Sequence, residues 1–347
     1  MGVVVNESKS ARYHRLKRRA GLVSLTCTAA LLAALLWARA SQGILPLFVL
    51  LELVALPFVF YRSFILERRY ELSSESLSAW LRDHVKALGL TLALAVTGAH
   101  VLYVLIRWSA AWWWLPAAGL AAGALVVLAK VAPVALLPLF YRFAPVERPS
   151  LVERLMALSR KAGVPVLGVY EWGLGPKTRR ANAALVGSGS TRRILVSDTL
   201  LAEYSDDEIE VILAHEMAHH VHHDIAKGIL VETVLLVCGC YASAVALRMY
   251  WEPLGLSAPS DVAGLPLLLL AGGAVMLAAT PLANAFSRFN ERQADRFALQ
   301  LTGLRTAFAS AMRRLASQNL AEESPSRASV LLFHTHPPIE ERIASAR

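Results

Sequence analysis

Cysteine is scarce in this chain of 347 residues: the three present, Cys27, Cys238 and Cys240, all fall inside apolar runs. That excludes a disulfide framework, and a Cys-Gly-Cys in an apolar run offers only two poorly placed thiolates to a metal. The three read as packing residues. Charge is scarce too, at 18% of residues, and it leans basic, with 35 Lys and Arg against 26 Asp and Glu. Internal repeats and low-complexity linkers are missing, which excludes a solenoid or a tethered array.

Apolar residues fill the space. They make up 56% of the chain, with a mean hydropathy of +0.47, beyond the roughly half expected of a soluble protein. They are grouped into six runs of about the length that crosses a bilayer as a helix, at 22–38, 44–60, 88–106, 112–130, 229–249 and 263–282. The fourth continues to Tyr141 through Pro133 and Pro138, as one long kinked helix or as a span plus an interfacial piece. A second span follows the first run at once with no clean small-residue site between, unlike a cleaved signal peptide. The chain reads as a polytopic integral-membrane protein of a cell's inner or plasma membrane, with the lipid bilayer as its first partner.

The charges then set the orientation. Six Lys and Arg precede the first span, five lie between the second and third, eleven in 142–228 and nine after the sixth. The other three connections hold one each, Arg39, Arg107 and Arg248. Cationic loops stay cytoplasmic, so both termini and 142–228 are expected there. The net charge of +9 is distributed as topology alone demands, and no nucleic-acid partner is implied.

Four segments follow: an N-terminal membrane segment 1–141 with four spans, a water-soluble segment 142–228, a two-span hairpin 229–282 and a soluble tail 283–347. In the second, Ser150 and Glu153 predict a capping box before a helix ended by Gly163. Three strand candidates come next, "VLGVYEW", "ANAALVG" and "RRILVSD". Ser205 and Glu208 repeat the capping box ahead of "DDEIEVILAHEMAHHVHHD", read as one helix running into the fifth span. The tail reads as a long helix closed by Gly303 and a second helix over about 305–318. The expected fold is a mostly α polytopic membrane protein carrying a cytoplasmic α+β catalytic domain with a small sheet.

The stretch "HEMAHHVHH" holds five histidines. Residues four apart share a helical face, so His215 and His219 can direct two imidazoles at one ion. Glu216, directly after the first, lies beside the metal and not on it, where the general base for a water must stand. His219 and His223 share that spacing, but His220 stands where their base would be. His222 is about 10 Å further along the axis from His215, too far for one ion. A catalytic site needs a third ligand, and Glu291 in "FNERQADRF" can supply it. Asp295, four residues on, can accept a hydrogen bond from the far nitrogen of a ligand histidine. The helix bearing these two leaves the sixth span where the histidine helix enters the fifth, and a hairpin returns both to one membrane face. One Zn2+ per chain is the expected cofactor, on ligand type.

With these residues in view, the chain resembles the type 1 CAAX prenyl protease group, gluzincin-like membrane zinc endopeptidases, as a prokaryotic member. The resemblance rests on "YELSSESLSAWLRDHVKAL", "VAPVALLPLFYRFAPV", the stretch from "ANAALVG" to "HEMAHH", "NERQADRFA" and "HTHPPIEER", covering the chain from about residue 61. It implies zinc on His215, His219 and Glu291, with Glu216 as catalytic base and Asp295 behind a ligand. Asn182 and Ala183 match the edge strand that takes the substrate backbone as an added strand. His336 and Arg342 match the His and Arg that stabilise the oxyanion; composition alone makes "HTHPPIEER" a Pro-capped helix start with a solvated His336. The implied partner is a peptide or protein substrate, with lipidated or membrane-associated ones included. Eukaryotic members have seven spans where six are counted here.

Two rivals remain. One is a stress-type quality-control protease with the same zinc core. The other is a catalytically silent membrane scaffold or transporter with a structural metal, disfavoured because few ionisable residues sit in the spans (Glu52, His100, Lys130, Glu232). Of these, Glu232 either lines a polar cavity or pairs with Lys130.

Overall fold

The computed structural model describes residues 8–40, 43–187, 189–322 and 324–346; positions 1–7 of the first predicted segment and 347 of the last lie outside them. Among the described residues, six helices are long and apolar enough to cross a membrane: Lys9–Trp37, Ile44–Arg69, Leu77–Trp108, Trp114–Phe140, Asp224–Tyr250 and Val262–Thr302. The chain is a polytopic helical membrane protein. Its helices outrun the apolar runs because helix continues into charged ends, as in "RYHRLKRRAG" and "LSAWLRDHVK", where only the hydropathy changes. The fourth is continuous: a π-helical turn at Ala132–Leu136 absorbs Pro133 and passes into Leu137–Phe140, since a π-bulge rehouses the carbonyl a proline leaves unpaired. Outward-facing Leu53, Leu120, Val127 and Leu230 are all more than half exposed, as suits surfaces meeting lipid. Trp108 and Trp112 stand exposed between the third and fourth spans, where an aromatic belt sits.

The hairpin of the fifth and sixth spans closes on small residues. Gly239 lies against Gly272, and the Ser243 hydroxyl donates to Leu268 O at 3.0 Å. Apolar helices in lipid gain nothing from mere hydrophobicity, so close backbone approach and such a bond hold them together. Cys238, read from the sequence as packing, is exposed, while Cys27 and Cys240 are half-buried.

The part outside the candidate spans is built on a four-stranded sheet in the order β1-β2-β4-β3. β2 (Val169–Trp172), β3 (Ala183–Val186) and β4 (Arg193–Ser197) fall inside the three predicted strands. β1 (Phe143–Pro145) was not expected, being three residues long. β1 pairs antiparallel with β2, β2 parallel with β4, and β3 antiparallel with β4. β3 is therefore an edge strand.

The helix Pro149–Lys161 starts differently from expectation: Pro149 takes the first helical position, and Arg148 precedes it without a side-chain cap. Proline fits there because that N–H has no helical partner, so Ser150 falls inside the helix. Gly163 ends it at φ 70°, and Gly303 ends the sixth-span helix at the same angle, a left-handed position glycine takes without cost. The histidine helix, Asp206–Val221, carries the predicted capping box: Ser205 Oγ accepts from Glu208 N and Glu208 Oε2 accepts from Ser205 N. It stops short of the fifth span. His223 takes a left-handed φ of 57° and a new helix starts at Asp224. Ile209, Val211, Leu213, Ala214, Met217 and Ala218 are fully buried, so the helix is enclosed on nearly every side. Pro149–Lys161, Arg305–Gln318, the sixth-span helix and β3 enclose it.

Candidate metal centre

Two helices from distant parts of the chain supply the site. The histidine helix is wedged against the C-terminal part of the sixth-span helix, and the i,i+4 spacing on each turns two functional side chains toward the seam. One nitrogen or oxygen from each of His215, His219 and Glu291 lies within 4.8 Å of the others. Glu291 Oε2 is 3.3 Å from His215 Nε2, and Oε1 is 3.5 Å from His219 Nε2. The two imidazole rings stand edge to face with centroids 5.0 Å apart.

Each histidine is held from behind. His215 Nδ1 is 2.9 Å from Asp295 Oδ1, and Asp295 is gripped by Arg342 through Nε at 2.9 Å and Nη2 at 2.7 Å. His219 Nδ1 is 2.9 Å from Asp224 Oδ2, with Lys227 Nζ 3.0 Å from the other oxygen. A carboxylate on Nδ1 fixes the tautomer and leaves Nε2 as the donor to a metal. Burial opposes a charged His215, yet the Asp295 and Glu291 carboxylates at its two nitrogens hold it up at about 9. Burial likewise pushes the Glu216 carboxyl up, and His215 and His219 pull it back only in part.

The donor set fits a metal ion. Glu291 is only 6% exposed, and its Oε2 is buried without a hydrogen bond, although His336 Nδ1 stands 2.7 Å away. Two imidazoles converging on such an oxygen are zinc-type ligands.

Two cavities meet at Glu216. One of about 910 Å3 is lined by Asn182, Ala183, His336 and Arg342, and reaches Leu22, Leu25 and Leu277 on the first and sixth spans. The other, about 440 Å3, is lined by Leu185, His219, Asp224, Glu232 and Asn290. β3 runs past both. Ser197 N donates to Asn182 O across the sheet, so by antiparallel alternation Ala183 and Leu185 turn their N–H and C=O outward. His220 Nε2 is 3.0 Å from Leu185 O, tying the histidine helix to that edge.

Every predicted site residue is therefore at this seam or lines a cavity joining it. His336 is exposed yet reaches Glu291, so it is more than a solvated helix start. Arg342 lines the larger cavity and holds Asp295 through Nε and Nη2. Glu232 lines the smaller cavity, and no ion pair joins it to Lys130 among the described residues. Sequence reasoning missed Asp224 and set His220 aside. An acid next to the histidine run was the available signal for Asp224, hidden because the helix was carried straight through the break at His223.

The fold and this seam define a class: a membrane-embedded protein of the HExxH metalloprotease type. Residues 145–347 match Peptidase family M48, and residues 43–142 match the family described as CAAX prenyl protease N-terminal, five membrane helices; three of the six candidate spans fall in that second stretch. The chain belongs to Peptidase family M48, a metalloprotease family, which implies a metal cofactor here. It is 31% identical over 281 residues to the uncharacterized metalloprotease YhfN of Bacillus subtilis (strain 168), covering 80% of this chain and 66% of that protein, just under two thirds of its length. It is 23% identical over 297 residues to a CAAX prenyl protease 1 homolog of Oryza sativa subsp. japonica, covering 85% of this chain and 70% of that one. The crystal structure of S. mikatae Ste24p has the same fold, with a TM-score of 0.83 at 21% identity, over 98% of this chain and 88% of that one.

Proposed function

We propose that the protein is an integral-membrane zinc endopeptidase with its active site at the cytoplasmic face. The observation that carries this is the convergence of His215, His219 and Glu291 within 4.8 Å beside the Glu216 carboxyl. Zinc, when bound, acts as a Lewis acid toward the scissile carbonyl and acidifies water at the site. His215, His219 and Glu291 hold it. Glu216 removes the proton from the attacking water and delivers it to the leaving amine, a role suited by a carboxyl that burial has raised above its ordinary value. His336 donates to the developing oxyanion. Arg342 contributes from the same cavity and keeps Asp295, and through it His215, in place. The substrate backbone adds to the outward N–H and C=O of Ala183 and the outward N–H of Leu185 as a further strand, beside Asn182.

The larger cavity reaches apolar side chains of two spans, which supports a membrane-associated substrate. The rice relative's name points to a prenylated C-terminus. The test is cleavage of a fluorescence-quenched peptide, with and without a farnesyl group, by detergent-solubilised protein before and after chelation. Cleavage lost to the chelator and restored by about one zinc per chain supports the reading. Cleavage that survives full metal removal contradicts it.

A further inference from the structure

The smaller cavity differs from the larger in charge. Lys17, Arg18, Arg62 and Arg342 line the 910 Å3 cavity, whereas no Lys or Arg lines the 440 Å3 one. Its ionisable groups outside the metal centre are Asp224, Glu232 and His220. Asp224 is spent on His219 and Lys227, and His220 on Leu185 O. Glu232, half-buried on the fifth-span helix, has no hydrogen-bond or ion-pair partner among the described residues. Opposite it, on the sixth-span helix, Asn290 is only 7% exposed and its Oδ1 is buried without a partner.

An acid placed in a spanning helix is costly unless it faces water or a cation, and a buried amide oxygen without a donor carries its own cost. Both groups accept hydrogen bonds, and both residues line one space. A strand laid along β3 crosses from Asn182 and Ala183 in the larger cavity, past Glu216, to Leu185 in the smaller, and one of its side chains projects there. A long aliphatic stem with a cationic head suits this space: Ile225, Val231 and Phe286 take the stem, and the head reaches Glu232.

We propose that this cavity is a substrate subsite for a basic side chain, Lys or Arg, selected by Glu232. The inference rests on the peptidase reading above, so its test has a readout that needs no turnover. Peptides carrying Lys, norleucine or Glu at each position flanking the cut are compared in two ways. One is cleavage by the active protein; the other is binding to zinc-loaded Glu216→Gln protein.

At one position on the Leu185 side, Lys should exceed norleucine by about tenfold in kcat/KM and in affinity, the effect of a single partly desolvated charge pair. Most of the kinetic gain should lie in KM. Glu232→Gln, which keeps the side-chain shape, should erase the preference, and Glu232→Lys should turn it toward Glu. Cleavage with no preference at any position, or a preference unchanged in Glu232→Gln, overturns the subsite and leaves the peptidase standing. A Glu232-dependent binding preference without cleavage overturns the peptidase and keeps the subsite.

Discussion

At the residue scale, the two histidines differ in what holds them. Asp295 is 3% exposed and paired with an Arg342 side chain that is 13% exposed, whereas the Lys227 beyond Asp224 is 41% exposed. Replacing either acid with alanine should weaken zinc binding by about 10–100-fold, the usual effect of losing the group behind a ligand. Asp295→Ala should also destabilise the protein, by about 1–3 kcal/mol, because it leaves a mostly covered guanidinium, 13% exposed, without its partner. Asp224→Ala should not, since Lys227 returns to solvent. Zinc titration with a competing chelator, paired with thermal unfolding, separates the two effects. Equal losses of stability in both variants would contradict the account. Asp295 was legible in the sequence because it shares a helical face with Glu291. Asp224 was not, because it sits across a left-handed residue that local spacing does not reveal.

At the element scale, the histidine helix depends on its start. Glu208 is 4% exposed and meets Ser205, Ser310 Oγ at 2.7 Å and Arg314 at 3.2 Å. Burial raises its pKa, but the Ser205 backbone N–H, Ser310 and Arg314 outweigh it and bring the carboxyl below its ordinary 4.5. A lowered carboxyl stabilises the fold above that ordinary value and loses the contribution as pH falls through the folded-state value. Glu208→Gln should therefore cost about 1–3 kcal/mol at pH 7, and the gap to wild type should close as pH drops below 4.5. Melting curves across pH 3–8 check this, and a gap independent of pH would contradict it. Ser205 and Ser150 carried the same S-x-x-E signature, but only Ser205 caps a helix. Pro149 decided the other case, since proline at the first helical position moves the helix start ahead of the serine. The spans were legible from hydropathy while their ends were not, because charged helix and apolar helix share one backbone.

At the scale of the whole molecule, the six candidate spans among the described residues return the chain to the side it started from, as the charge map requires, and the proposed orientation turns the metal seam to the cytoplasm. Single cysteines at Ala110 and Arg160, in a background lacking the native three, test the orientation with a membrane-impermeant thiol reagent. On intact cells Ala110→Cys should label and Arg160→Cys should not until the membrane is opened. The reverse pattern would invert the topology. The hairpin logic was legible: a pair of spans returns to the face it left, which is how His215 and Glu291 come to one seam, 3.3 Å apart. The opposed charge of the two cavities was not, because it arises only when spans one, two, five and six stand around the soluble domain.

The central claim is that one carboxyl beside a three-residue metal site performs hydrolysis. The most direct measurement is metal content and reporter-peptide cleavage, side by side, for wild type and Glu216→Gln in detergent. The account predicts one zinc per chain in both proteins, with cleavage falling by at least about 10²–10⁴-fold in the variant. Cleavage retained by a zinc-loaded Glu216→Gln protein would contradict it.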